Sequence, residues 1–410
     1  MEIKKIRVSI IGLGYIGLPT AALLAKKGYR VAGIEKNQEL VNLVNEGKTH
    51  VAEPDLGICV KSMVSKGYLK AFKKPQVAEV YIICVPTPVY ETSLIPTPNM
   101  DFVLDATRSI AKLLKPNDLL ILESTSPVGT TEKIRKFLID QRVDVDQIDF
   151  AYCPERVLPG KILTELIEND RIVGGLTSKA TANAKAFYET FVSGNIFGTD
   201  AKTAEMCKLT ENSFRDINIA FANELSMICK GEEIDVWELI KLANRHPRVN
   251  ILEPGPGVGG HCIAVDPWFI VSRNPDTSKL IRSAREVNNL KTDWVVGQIR
   301  SAAEDLKLKT GNSPKILCLG LTFKPDVDDL RGSPALSIVE CLLKHDFKVE
   351  AVEPNVSIHP GINIKNIETE VEKETIVVML VKHKEFVDKK FLNKLRSHNV
   401  LDYCGLFHTS

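Results

Sequence analysis

The chain has 410 residues, too many for one ordinary domain, so two or three are expected. With 44% hydrophobic and 26% charged residues it reads as globular, which excludes a disordered or fibrous chain. Lys and Arg number 53 against 52 Asp and Glu, so the net charge is +1 and the bulk basic excess of a nucleic-acid binder is missing.

The first region, about 1–200, alternates short β-rich runs with amphipathic stretches. Lys4, Lys5 and Arg7 precede an apolar run from Val8 that imitates a signal peptide. The run breaks at Gly12 and feeds a glycine motif, so a strand is expected instead. Strands are predicted at Arg7–Ile11, Arg30–Ile34, Val80–Val85, Leu119–Glu123 and Phe150–Tyr152, with helices at Thr20–Lys27, Gln38–Asn45 and Asp101–Leu114. That alternation implies βαβ units and a parallel sheet covered on both faces. The second region, about 201–300, is helical: Ala201–Lys230, Val236–Ala243 and Leu280–Ser301, interrupted by an irregular Gly/Pro-rich loop over Glu253–Pro267. Long helices with exposed apolar positions commonly pair across a dimer axis, so a homodimer is expected. The third region, about 301–410, returns to alternation, with strands at Lys315–Leu319, Lys348–Val352, Thr375–Leu380 and Asn399–Asp402. The fold class is therefore α/β, two Rossmann-like doubly wound domains joined by a helical connector, with a ligand cleft expected between the lobes.

The nine cysteines (59, 84, 153, 207, 229, 262, 318, 341 and 404) show no C-x-x-C and no zinc-type spacing, so no metal is expected. An odd number, several in apolar runs, points to reduced thiols in the cytoplasm. No stretch approaches the ~18 apolar residues of a membrane span.

Four motifs carry chemistry. Gly12-Leu13-Gly14-Tyr15-Ile16-Gly17 follows a strand and opens a helix, the context in which glycines let backbone N–H groups approach a pyrophosphate. Glu35, at the end of the next strand, is placed to accept a ribose 2′-hydroxyl and repel a 2′-phosphate, favouring NAD over NADP, although Lys36 follows it. Gly259-Gly260-His261-Cys262 presents a thiol in surroundings that make poor core. Glycines there let a bulky substrate approach the sulfur, and a thiolate can trap an aldehyde as a thiohemiacetal that loses hydride to give a thioester. Neighbouring positive charge would favour that thiolate; His261 and Lys208 are candidates. Lys208 and Asn212, four apart, share a helix face that suits a developing oxyanion and equally a solvated surface. Glu155, in Cys153-Pro154-Glu155-Arg156-Val157-Leu158-Pro159-Gly160, follows a strand and suits proton transfer or a plain loop charge. Ser124-Thr125-Ser126-Pro127-Val128-Gly129-Thr130-Thr131 suits hydrogen bonds to phosphate or nicotinamide, or an N-cap.

These segments, with Leu321-Thr322-Phe323-Lys324-Pro325 through Arg331, occur in the order seen in the UDP-glucose/GDP-mannose dehydrogenase family, which the whole chain resembles. The resemblance implies a four-electron oxidation of a UDP-sugar C6 hydroxyl to a carboxylate by two NAD in turn. Cys262 would be the nucleophile; Lys208 and Asn212 would stabilise the oxyanion, and Asp266 would help to position water. Glu155 would be the acid/base, and Thr125 would hold water or cofactor. Gly12, Gly14, Tyr15, Ile16, Gly17, Glu35, Thr87 and Thr125 would bind the cofactor. Glu155, Arg156, Val157, Lys208, Asn212, Arg215, Arg248, Asn250, His261, Lys324 and Arg331 would bind the UDP-sugar. Family members usually have Asp where Glu35 stands, and glucose-specific relatives often have Ser where His261 stands. The His form resembles the N-acetylhexosamine branch, with the manno sugar favoured over the gluco. A two-electron hydroxyacid-type dehydrogenase would lack the second α/β lobe, and a non-catalytic NAD-binding redox sensor would turn over no sugar.

Overall fold

The computed structural model describes residues 6–90, 95–158, 160–368, 370–372 and 374–408; Lys4, Lys5 and Pro159 lie outside these. The chain divides into two compact units, Met1–Glu211 and Asn212–Ser410.

The first unit opens with β1 (Arg7–Ile11), α1 (Gly17–Lys26), β2 (Arg30–Ile34), α2 (Gln38–Asn45), α3 (Leu56–Ser65), β3 (Leu69–Phe72) and β4 (Val80–Ile83). A small antiparallel pair follows, β5 (Val89–Tyr90) with β6 (Thr97–Pro98). Then come α4 (Asp101–Ile110), β7 (Leu119–Leu122), α5 (Thr130–Asp140), β8 (Asp149–Tyr152) and α6 (Ile162–Glu168). The unit's sheet is completed by β9 (Arg171–Gly175), α7 (Ser178–Tyr188) and β10 (Ile196–Asp200). The sheet order is β10-β9-β8-β7-β4-β1-β2-β3. Every residue of β4, β7 and β8 is buried, as expected of strands covered by helices on both faces. The chain steps from β3 on one side of β1 to β4 on the other, leaving a switch point at the C-terminal ends of β1 and β4.

The sheet is not parallel throughout. β9 pairs antiparallel with β8, because the segment between them, which includes α6, returns to the sheet edge it left. Helix α5, whose buried Ile134 and Leu138 recur at helical spacing, and the short strands β3, β9 and β10 lie outside the elements predicted from sequence.

Helix α8 (Ala201–Gly231) runs from the first unit into the second. There follow α9 (Val236–Ala243), α10 (Asp266–Arg273), α11 (Lys279–Thr310), β11 (Lys315–Leu319), α12 (Pro334–Lys344), β12 (Lys348–Val352) and β13 (Ile364–Lys365). β14 (Thr375–Met379), α13 (Lys389–Leu395) and β15 (Asn399–Asp402) complete it. Its sheet, β13-β12-β11-β14-β15, is parallel, with a switch point between β11 and β14. Several element ends in both units differ from the sequence reading, α4 for instance ending at Ile110 and not at Leu114, and two differences in the second unit have a plain local cause. α11 continues past Ser301 to Thr310, through helix-forming Ala, Glu, Leu and Lys, and stops at Gly311 in the left-handed conformation (φ 77°). Asp266 and Pro267, expected in the loop, form the first turn of α10, where proline's missing N–H costs nothing.

Within the second unit α8 and α11 are joined by buried polar groups. Arg285 pairs with Asp216 at 2.6 Å, both side chains essentially without exposure, and Asn288 donates to Asp216 and accepts from Asn223. Breaking such a pair strands a buried charge at a cost of ~3–5 kcal/mol. It therefore fixes one register between the helices.

Candidate active site

In the first unit the glycine loop forms a cradle at the switch point. Gly12 (φ 96°) donates to the Ile34 carbonyl at 2.9 Å, and a Cβ there would collide with the Cys84 carbonyl. A Cβ on Gly17 would strike the Gly12 carbonyl. Gly14 is exposed and a Cβ there would meet nothing within 4 Å, so the backbone between the two packed glycines faces open space. Tyr15 and Ile16 are half-buried, and α1 begins at Ile16 without a side-chain cap. Backbone N–H groups at the start of a helix suit a pyrophosphate. Glu35 accepts from the Leu13 N–H at 3.3 Å and the Asn37 N–H at 3.0 Å, which aims its carboxylate at the loop. Thr87 and Thr125 are half-buried, each just beyond a C-terminal strand end, of β4 and β7.

The hydroxyl-rich turn before α5 is spent internally. The N–H groups of Gly129 and Thr131 and the Thr131 hydroxyl all donate to the buried carboxylate of Glu205. Glu205 thus occupies the helix N-terminus and excludes phosphate from it, leaving Thr125 as the member placed for a ligand. Sequence reasoning missed Glu205; its one signal is an acid set among Ala204, Met206 and Cys207.

Beyond β8, burial raises the Glu155 carboxyl above its ordinary value, opposed by Lys208 and by the Val157 N–H that donates to it. Lys208, buried on α8, donates from Nζ to the Glu155 carbonyl at 2.9 Å. Arg156 pairs with Glu211 at 2.8 Å. Behind them lies a buried group that the sequence reading also missed. Glu123 accepts from the Tyr188 hydroxyl at 2.6 Å and from the Cys84 thiol at 3.2 Å, with Arg171 3.9 Å away.

The second unit holds the thiol loop. Cys262 is half-buried, and its carbonyl accepts from the Asp266 N–H at 2.8 Å, tying it to the first turn of α10. Asp266 is buried and accepts from the Asn212 side-chain amide, so its carboxylate orients that amide. Lys324 feels the Cys262 sulfur as a stabilising negative charge; burial and then Arg215 push its ammonium below the usual lysine value, while Asp329 and Cys262 oppose them. Lys324, which sequence reasoning assigned only to nucleotide binding, is thus a cation within electrostatic reach of the thiol. Burial alone would raise the Asp329 carboxyl, but Arg331, bidentate at 2.6–3.1 Å, and then His261 hold it below the ordinary range. Arg248 and Asn250 are exposed, in the turn that Asn244 closes onto Ile251.

The loop glycines serve packing inside this unit, where the sequence reading gave them to substrate approach. A Cβ on Gly260 (φ 82°) would lie 2.9 Å from the Phe323 ring, and one on Gly259 2.6 Å from the Gly332 carbonyl and from Pro334. Seven of the other cysteines are poor nucleophiles. All nine are free, and burial pushes the thiols of Cys59, Cys84, Cys153, Cys207, Cys229, Cys318 and Cys404 upward, Cys318 to about 12.

Three domain descriptions of one family match in sequence: the NAD binding domain over residues 6–192, the central domain over 202–290 and the UDP binding domain over 317–409. The chain belongs to the UDP-glucose/GDP-mannose dehydrogenase family. It is 50% identical to the UDP-N-acetyl-D-mannosamine dehydrogenase of Campylobacter jejuni, covering 97% of this chain and 99% of that one. It is 49% identical to the NDP-N-acetyl-D-galactosaminuronic acid dehydrogenase of Ralstonia nicotianae, covering 98% and 96%. The solved UDP-D-ManNAc dehydrogenase of Pyrococcus horikoshii superposes with a TM-score of 0.88 at 37% identity, over 98% of this chain and 96% of that one. NAD is the family's cofactor, and the open backbone at Gly14, the uncapped α1 and the Glu35 carboxylate fit its pyrophosphate and ribose.

Gly260→Ala is expected to leave the protein folded and to displace Cys262 by forcing the loop off Phe323. Misplacement of about 1 Å costs on the order of 100-fold in turnover. Steady-state kinetics beside a thermal unfolding curve check this.

Proposed function

We propose that the protein oxidises the C6 hydroxyl of UDP-N-acetyl-D-mannosamine to the carboxylate, in the cytoplasm, for a surface polysaccharide. The observation that carries this reading is the second-unit loop, where a half-buried Cys262 is tied through its carbonyl to Asp266, the residue whose carboxylate orients Asn212. A reaction that stops at an aldehyde has no use for such a thiol. Relatives of 50% identity bearing the manno name support the sugar. The galacto-named relative of equal similarity favours a second reading, the same chemistry on a UDP-N-acetylhexosamine of galacto configuration.

NAD, when bound, accepts the two hydrides. The sugar alcohol first loses a hydride and a proton to become an aldehyde. The Cys262 thiolate adds to its carbonyl carbon, and the oxyanion of the thiohemiacetal is held by Lys208 and Asn212. Loss of a second hydride to a fresh NAD leaves a thioester on the sulfur. Water, positioned with the help of Asp266 and deprotonated by Glu155, attacks that carbon, and the C–S bond breaks to release carboxylate and thiolate. One alcohol, two NAD+ and one water thus give one carboxylate, two NADH and three protons. Arg215, Arg248, Asn250, His261, Lys324 and Arg331, with Arg156 and Val157, bind the nucleotide sugar.

The family matches support a three-part organisation, an NAD-binding domain over 1–200, a helical domain over 201–300 and a UDP-sugar domain over 301–410. The central part forms a homodimer: Phe214, Phe221 and Ile228 recur every seventh residue along α8 and are all exposed. No helix among the described residues is long and apolar enough to cross a membrane.

With NAD in excess and a panel of UDP-N-acetylmannosamine, UDP-N-acetylgalactosamine, UDP-N-acetylglucosamine and UDP-glucose, the first is expected to yield two NADH per sugar. Cys262→Ser should release no carboxylate. One NADH per sugar, or no signal from any of the four, would sink the reading. Because burial raises the Glu155 carboxyl, the acid limb of kcat should fall above the ordinary glutamate value of 4.5, and Glu155→Gln should abolish that limb. In sedimentation the protein should run at twice its chain mass and Phe221→Asp at one; a monomeric wild type contradicts the dimer.

A further inference from the structure

The second unit repeats the strand–glycine–strand–acid arrangement of the first. Gly320 (φ 91°) after β11 donates to the Val352 carbonyl at 2.9 Å, as Gly12 (φ 96°) after β1 donates to Ile34 at 2.9 Å. Glu353 follows β12 as Glu35 follows β2. The two acids have different work. Glu35 is half-buried, with a face toward solvent. Glu353 is 4% exposed and fully engaged: it accepts the N–H groups of Leu321 at 2.7 Å, Thr322 at 3.2 Å and Asn355 at 2.9 Å, and meets the His383 ring at 3.1 Å. Burial alone would raise its carboxyl, but His383 and those N–H groups hold it below the ordinary value. It cannot also receive a ribose.

His383 has no exposure at all. Its Nδ1 accepts from the Asp326 backbone N–H at 3.0 Å and lies 3.1 Å from the Asn355 amide. An N–H aimed at Nδ1 selects the neutral tautomer with its proton on Nε2, which then donates to Glu353 and to the Thr322 hydroxyl at 3.3 Å. The ligand atoms of Asp326, His383 and Glu385 lie within 4.8 Å of one another, but the imidazole lone pair is already engaged, so the group is a loop clamp and not a cation site. Asp326 itself has φ 60°, a left-handed conformation that a non-glycine residue keeps only when it is held from outside. The Lys384 N–H donates to its carboxylate at 3.1 Å.

Two anchors thus grip one loop, Glu353 at Leu321 and Thr322 and His383 at Asp326. Between them hang Phe323, against which Gly259 and Gly260 pack, and Lys324, charge-coupled to Cys262. We propose that Glu353 and His383 are positioning residues for the oxidation: without touching substrate, they hold Phe323 under the thiol loop and Lys324 beside Cys262. This rests on the reading of Cys262 as nucleophile.

The test uses the full-length protein with His383→Leu, His383→Gln and Glu353→Gln, and measures the rate of Cys262 alkylation by iodoacetamide without substrate, alongside KM for the UDP-sugar, KM for NAD and the melting curve. His383→Leu loses both anchor bonds. Glu353→Gln replaces one accepting oxygen by an N–H donor, so at least one of the backbone N–H groups it holds, Asn355 on one oxygen or Leu321 and Thr322 on the other, loses its acceptor. Both are expected to slow alkylation and to raise KM for the UDP-sugar by about tenfold, since the loop carries the cation of each. KM for NAD should stay at its wild-type value, and His383→Gln, which keeps an acceptor for Asp326, should recover part of the loss. Unchanged alkylation and sugar KM in both variants would overturn the proposal, as would a parallel fall in NAD binding and melting temperature with no rescue. If the wild type oxidises no UDP-sugar, the functional reading fails, while the alkylation rates still judge the clamp.

Discussion

The second unit depends on a place where no side chain fits. Gly259 and Gly260 bring the backbone before Cys262 so close to Phe323, Gly332 and Pro334 that even a methyl group would collide. Dense interiors tolerate no such intrusion without moving. The thiol loop therefore takes its position from the loop after β11 and cannot shift independently of it. A short loop that must hold a sulfur in line with a reacting carbon needs that kind of support, because glycines left unpacked would let it wander.

Both units solve a similar problem with buried carboxylates. Glu205 fills the N-terminus of α5 and holds the Thr125 turn; Glu353 fills the turn after β11 and holds the Lys324 loop. Each accepts several backbone N–H groups that would otherwise need water, which repays the cost of burying a charge and leaves the loop with one conformation. Glu35, alike in position to Glu353, accepts two N–H groups and no side-chain donor, and it retains a solvent face. Position after the second strand is shared by the two acids; their partners differ.

Much of the frame was legible from the chain because its signals are local. β1, β2, β11, β12 and β15 fall on the runs predicted for them, since each is a short β-rich run bounded by breakers. The glycine loop and Glu35 were readable from spacing alone. Other features were hidden because they depend on tertiary partners. The antiparallel β9 carries no mark of direction in Arg171–Gly175. Glu205, Glu353 and His383 look like ordinary polar residues until their N–H partners are known. Lys324 lies sixty-two positions from Cys262 in sequence, and only the fold of the second unit brings the two within electrostatic reach. Gly259 and Gly260 were visible, but their reason was not, since Phe323 is equally remote.

The central claim is that one sulfur carries the sugar between its two oxidations. Its most direct test is to acid-quench Glu155→Gln during turnover with UDP-N-acetyl-D-mannosamine and NAD, then to weigh the protein and its digested peptides by mass spectrometry. The account predicts an acyl adduct with the mass of the nucleotide sugar, confined to the peptide containing Cys262 and discharged by hydroxylamine. Carboxylate formation with that peptide unmodified, or an adduct on any other cysteine, would contradict it.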